Sequence, residues 1–147
     1  PMHRTPLPFA LPQLKPGLSR TFQKTIEPAD TLSFGHGALT ELMATPTLSA
    51  LLIEASVSVI DPMLPEGYVT VGLSTSVSYL NPTFIGMTVT AVAALAEVDN
   101  RKLVFEIMAF DELGQIARGR HERYIVNAAH FMQSARERCA ALQQKIK

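Results

Sequence analysis

The feature that most limits how this chain can fold is a predicted helix, residues 46–60, that is apolar on almost every side. Thr45 is a favourable N-cap and Pro46 suits the first helical position, whereas the Asp-Pro pair after residue 60 ends the helix. Glu54 is its only charged residue. Because a helix without a polar face cannot rest on the surface of a domain, other elements must surround this one.

The segments after this helix are typical of an antiparallel sheet. Turn-forming residues separate four predicted strands, which cover residues 68–80, 85–98, 101–110 and 115–126. In the first of these strands apolar and small polar residues alternate. One face of this strand is therefore predicted to carry Val69, Val71, Leu73, Val77 and Tyr79. A fifth strand, residues 18–28, precedes the helix.

The chain ends in a predicted amphipathic helix that Asn127 caps and that carries apolar residues every three or four positions. The order of strand, buried helix, four antiparallel strands and amphipathic helix indicates the α+β class. A single hotdog domain, in which an antiparallel sheet wraps around a central helix, fits this order over residues 17–147. An extended proline-rich arm, residues 1–16, precedes the domain. A different α+β sandwich with the same order of elements stays open at this point.

Composition excludes several classes of partner. Thirteen basic and thirteen acidic residues leave no net charge, so the chain has no electrostatic footprint for nucleic acid or an anionic membrane. No apolar run approaches the roughly 18 residues that cross a bilayer. The one cysteine, Cys139, forms no internal disulfide, which is typical of the reducing cytoplasm. His, Cys and carboxylates are not clustered at metal-ligand spacing, so no metal site is predicted.

Three short motifs favour the hotdog interpretation over its alternative. They are Ala44-Thr45-Pro46 before the apolar helix, the run from Thr70-Val71-Gly72 to Leu80-Asn81-Pro82-Thr83 and Gly86, and Gly119-Arg120-His121-Glu122-Arg123. In this order and spacing they resemble the fluoroacetyl-CoA thioesterase-like branch of the hotdog superfamily, over residues 17–138. The resemblance implies a homodimer that binds an acyl-CoA thioester in a tunnel between its subunits, without a metal or an organic cofactor.

The resemblance also implies a catalytic set of a threonine, a glutamate on the central helix and a histidine from the long strand. The threonine falls on Thr45, but the glutamate position falls on Ile53 and the histidine position on Tyr79. A glutamate occurs one residue later, at Glu54, where the helix has turned by about 100°. The candidate catalytic residues are therefore Thr45, Glu54 and Tyr79. With two of three positions changed, we expect weak or rearranged thioester hydrolysis.

Four further residues are candidates for substrate binding through the same resemblance. Phe34, His36 and Leu39 fall in the loops that form the lid of the tunnel, and Gly72 falls in its wall. The histidine and arginine of the last motif are expected to serve sheet packing and hydrogen bonding.

Each candidate also has a purely structural interpretation. Thr45 caps the helix, Glu54 faces solvent, Tyr79 is a core aromatic residue, and His36 is a surface residue of a loop. The function stays open in the same way among three classes that this scaffold supports. They are a thioesterase, a non-hydrolytic acyl or small-molecule binding protein, and an isomerase, lyase or dehydratase that acts on an activated acyl or polyketide-like ligand.

Overall fold

The computed structural model describes residues 5–31 and 37–146 of the chain. Its strands are β1 (Ser19–Thr25), β2 (Tyr68–Tyr79), β3 (Thr88–Asp99), β4 (Lys102–Asp111) and β5 (Gly114–Asn127), and its long helices are α1 (Thr45–Ile60) and α2 (Ala128–Ile146). Single turns of 3₁₀ helix lie at Pro28–Asp30, Gly37–Leu39 and Asp61–Met63. The long elements follow the predicted order.

The strands form one antiparallel sheet in the order β1-β3-β4-β5-β2, so β1 and β2 are its edges. The sheet lies against α1, which contacts mainly β3 and β1. Leu52 and Ile60 of the helix have no exposed surface, and Phe105 is the largest fully buried side chain of the sheet. Burying one side chain of this size stabilises a fold by about 1.5–3 kcal/mol. The predicted apolar helix is therefore the centre of the core.

A β-bulge changes which of the alternating residues of β2 point toward the helix. The register of β2 against β5 shifts after Gly72, so that Leu73 is an extra residue without a partner across the ladder. Before the bulge Thr70 is buried, whereas after it Val77 packs against the core. The prediction that these apolar residues share one face was therefore wrong, since the bulge places Val77 and Tyr79 on the opposite face from Val69 and Val71.

The two edges of the sheet differ in their protection. β1 is short and carries Arg20 and Lys24, charges that discourage another strand from pairing there. β2 is 12 residues long and contains no charged residue and no proline. Its outer edge is an open template for a further strand, and the exposed fractions of Val69 and Leu73 are 38% and 41%.

The arm and the last helix are attached to the sheet in different ways. In the arm Leu14 is buried in the core, and the ring of Phe9 lies edge-on to Tyr68 with 4.7 Å between the ring centroids. Asn127 caps α2 as predicted, because its side-chain oxygen accepts a hydrogen bond from the N–H of His130. In the part of the chain that the structure describes, neither α2 nor any other helix is long and apolar enough to cross a membrane.

Candidate functional site

The start of α1 and the end of β2 bring two of the three catalytic candidates together. The hydroxyl of Tyr79, the last residue of β2, lies 3.4 Å from the backbone carbonyl oxygen of Thr45, the first residue of α1. The same hydroxyl shares a hydrogen bond with the hydroxyl of Ser49, one turn further along the helix. We call these three residues the hydroxyl cluster. Tyr79 is 44% exposed, so a ligand can reach the cluster from the surface of the subunit.

The start of α1 differs from its sequence interpretation by one residue. Ala44 is the N-cap, Thr45 is the first helical residue and Pro46 the second. Ala44 is buried, and its N–H donates a 2.9 Å hydrogen bond to the carbonyl of Asp30, which fixes the chain before the helix. The prediction that Thr45 caps the helix was therefore wrong. Thr45 is exposed, and its hydroxyl has no hydrogen-bond partner among the described residues.

Helical geometry separates Ile53 from Glu54. At about 100° per residue, Ser49 and Ile53 are turned by about 40° and 80° from Thr45, so all three share the side of α1 that Tyr79 contacts. Glu54 is turned by about 180° from Thr45. It is exposed and forms no hydrogen bond or ion pair with any described residue. The carboxylate therefore leaves the helix on the side away from the hydroxyl cluster.

A buried polar network lies between β2 and β5. Arg123 donates from Nε to the hydroxyl of Thr70 over 2.7 Å and from Nη2 to the carbonyl of Thr70 over 2.8 Å. The Thr70 hydroxyl in turn donates to Oδ1 of Asp61 over 2.6 Å. Burial lowers the pKa of Arg123, and the charge of Asp61 opposes this shift. Asp61 is thus the counter-ion of the buried Arg123 side chain, and the Thr70 hydroxyl connects the two.

His121 extends this network toward the bulge. Its Nε2 accepts a hydrogen bond from Nη1 of Arg123 over 3.1 Å, so Nδ1 carries the proton of the neutral ring. Nδ1 lies 3.0 Å from the carbonyl oxygen of Ser74 and 2.7 Å from the hydroxyl of Thr75. Burial first, and then the charge of Arg123, lower the pKa of His121 and outweigh the opposite effect of the Ser74 carbonyl. The folded protein therefore disfavours the imidazolium form.

We expect this histidine to make stability depend on pH. Well above pH 6.5, the ordinary pKa of histidine, the ring is neutral in both the folded and the unfolded chain, so its contribution is fully present. As the pH falls below that value the unfolded chain takes up a proton that folded His121 resists, and stability is lost. Urea unfolding from pH 8 to pH 5 should show a shallower loss in His121→Gln than in the wild type. His130→Gln, at an exposed position, is the control. Equal slopes for the wild type and His121→Gln would contradict the assignment.

The candidate binding residues do not all lie near the hydroxyl cluster. Gly72 lies beside the buried network, and a Cβ built on it would be 3.6 Å from Nη1 of Arg123. Leu39 ends a 3₁₀ turn and is 57% exposed. Phe34 and His36 lie outside the described residues. Within the described ranges, no three His, Cys, Asp or Glu side chains are arranged to hold a metal ion.

The matches to known proteins cover the elements that carry the hydroxyl cluster and the buried network. A family model described as fluoroacetyl-CoA-specific thioesterase matches residues 26–129. The chain belongs to the fluoroacetyl-CoA-specific thioesterase family. The family predicted from the three short motifs is thereby confirmed. The matched span of this thioesterase-family chain contains Thr45, Tyr79 and Arg123.

Individual relatives agree with the family. A fluoroacetyl-CoA thioesterase of Streptantibioticus cattleyicolor is 31% identical over 101 residues, which are 69% of this chain and 73% of that protein. A hot-dog-like protein from Thermanaerovibrio acidaminovorans superposes with a TM-score of 0.80 at 30% identity, over 84% of this chain and 91% of that one. A variant of the fluoroacetyl-CoA thioesterase FlK in complex with acetyl-CoA has a TM-score of 0.77 at 25% identity, over 85% and 98%. The predicted α+β class and single hotdog domain are confirmed.

Proposed function

We propose that this thioesterase-family protein binds an acyl-CoA thioester at the hydroxyl cluster, in a tunnel between two subunits, and hydrolyses it weakly. The observation that carries the proposal is the contact between Tyr79 and Thr45, two positions far apart in sequence at which the family resemblance places the site. A relative that carries acetyl-CoA in its structure supports the ligand class.

The start of α1 suits the thioester group. The first N–H groups of a helix have no partner within the helix, and here they belong to Thr45 and Thr47, because Pro46 has none. The positive end of the helix dipole at these groups stabilises partial negative charge on a thioester oxygen. The exposed Thr45 hydroxyl is a further donor at the same place. This end of the helix is therefore the proposed seat of the thioester carbonyl.

The weak hydrolysis follows from the chemistry of the three side chains. A hydroxyl becomes an effective nucleophile, or activates water, only with a general base beside it. In the described ranges no carboxylate or imidazole forms a hydrogen bond with Thr45, Ser49 or Tyr79. Among the described residues the cluster can bind and polarise a thioester, but none of its bonded neighbours there can remove a proton. The same observation favours a non-hydrolytic acyl-CoA binding protein as the second candidate function.

The proposed homodimer rests on β2 and on the exposed side of α1. β2 leaves a 12-residue uncharged edge open, and pairing of this edge with the same strand of a second copy would give an isologous interface. Ile53 and Val57 of the apolar helix remain half-buried in the single subunit. A partner placed along β2 would cover further apolar surface near Tyr79, and thereby enclose the hydroxyl cluster.

Sedimentation of the full chain with acetyl-CoA tests the proposal. The adenine nucleotide of acetyl-CoA absorbs at 260 nm, where a chain with three tyrosines and no tryptophan contributes little absorbance. We expect one boundary at the mass of a dimer that carries nucleotide absorbance, together with slow release of free thiol from acetyl-CoA. A boundary at the mass of a monomer would contradict the dimer. Nucleotide that stays behind the protein would contradict the acyl-CoA site.

A further inference from the structure

Ser49 behaves differently from the other serines of its helix. A serine within a helix commonly bonds to a carbonyl three or four residues before it. Ser56 donates to the carbonyl of Leu52 over 2.9 Å, and Ser58 donates to the carbonyl of Ala55 over 2.7 Å. The Ser49 hydroxyl instead bonds to the side chain of Tyr79, 30 residues away in sequence. α1 therefore directs this one serine across to β2.

The pair of hydroxyls retains unused hydrogen-bonding capacity. Ser49 and Tyr79 together hold two hydroxyl protons, and one of them forms the bond between the two side chains. Within the described ranges, the acceptor near the second proton is the Thr45 carbonyl, 3.4 Å from the Tyr79 oxygen, whereas hydroxyl hydrogen bonds are usually about 2.7–2.8 Å long. One proton and several lone pairs are therefore available to a ligand on the exposed side of Tyr79.

The position of the pair separates it from the thioester seat. Ser49 lies four residues after Thr45, which is roughly 6 Å along the helix axis. A ligand whose thioester oxygen lies at the start of α1 would place a group a few atoms along its acyl chain beside Ser49 and Tyr79. A plain alkyl chain there would cover a donor without satisfying it, and an unsatisfied buried donor is costly.

We propose that Ser49 and Tyr79 form a specificity pair for acyl thioesters that carry a hydroxyl or keto oxygen close to the thioester. A hydroxyl on the acyl chain both donates and accepts, which matches the free proton and lone pairs of the two side chains. A site built to bond an oxygen discriminates against the analogue that lacks it. The inference rests on the proposed acyl-CoA function and names the acyl class for that site.

Calorimetric titration of the full chain with two matched ligands tests the inference. 3-Hydroxybutyryl-CoA and butyryl-CoA differ by one oxygen, and we expect the hydroxylated ester to bind about two- to tenfold more tightly, the effect of one neutral hydrogen bond. Ser49→Ala should abolish this preference, and the helix should persist in the variant because alanine is favourable within a helix. Tyr79→Phe should reduce the preference too. Ser58→Ala, whose hydroxyl bonds within the helix, is the control and should keep it.

The outcomes separate the inference from the proposed function. Equal affinities of the wild type for both esters would overturn the inference and leave acyl-CoA binding intact. A preference that survives in Ser49→Ala, or an equal loss for both ligands, would overturn it as well. If neither ester binds to the wild type, the proposed function fails and the inference fails with it.

Discussion

Replacing Gly119 by alanine should destabilise the protein by about 3 kcal/mol, a large part of the stability of an ordinary domain. A Cβ at this position would lie 2.0 Å from the carbonyl oxygen of Ser76 and 2.9 Å from the Cα of Val77. Both atoms belong to the backbone of β2, so no side-chain rotation relieves the overlap. The substitution must push β2 away from β5, and with it Tyr79 away from α1.

Gly72→Ala is a matched control in the same pair of strands. Its Cβ would meet only side-chain atoms, with Nη1 of Arg123 at 3.6 Å, which is ordinary van der Waals contact. The variant should unfold in urea within about 1 kcal/mol of the wild type, because no overlap arises and the unfolded chain loses freedom. A Gly119→Ala protein as stable as Gly72→Ala would contradict the backbone geometry. A folded Gly72→Ala protein also allows the proposed ligand role of Gly72 to be measured separately from stability.

The chain's local patterns predict its long elements well and its strand faces less well. Periodicity and turn residues predict the apolar helix and the strands, and the observed bounds lie close to the predicted ones. The alternation of apolar and polar residues predicts the faces of β2 incorrectly, because Thr70 is buried and Val69 is exposed. Thr70 is buried because Arg123 and Asp61 satisfy its hydroxyl and its carbonyl. A partner 53 residues away leaves no trace in a local pattern.

Local sequence patterns also fail to predict some residues of the candidate site. Family spacing placed Thr45 and Tyr79 in one site, and the two residues do lie together. Ser49 was missed, although its place four residues after Thr45 on the same helix side was visible in the sequence. Arg123 belongs to a motif predicted to serve sheet packing and hydrogen bonding, and it does form buried hydrogen bonds. The strand pattern does not reveal that its charge is buried and linked to Asp61. The homodimer, the tunnel and its lid stay predictions.

Introducing Ile53→Glu and Tyr79→His together should raise acyl-CoA hydrolysis by at least about 100-fold, the usual contribution of a positioned acid or base. The resemblance implies that the family has a carboxylate and an imidazole at these positions. Ile53 lies on the same side of α1 as Thr45 and Ser49, so a glutamate at this position would project from the side of the helix that residue 79 contacts. The double variant would thus supply a proton acceptor, which the hydroxyl cluster does not have among the described residues. Release of free thiol from acetyl-CoA measures the gain.

The two single variants and Glu54→Gln show which residues cause a gain in hydrolysis. Either substitution alone should give much less than both, because a general base and the group that orients it act as a unit. Glu54→Gln should change neither the wild type nor the double variant, since Glu54 leaves the helix about 180° from Thr45. Suppose instead that the wild type hydrolyses acetyl-CoA rapidly and that Glu54→Gln abolishes this activity. The shifted glutamate would then have taken over the missing role, and the weak hydrolysis proposed for the hydroxyl cluster would be wrong.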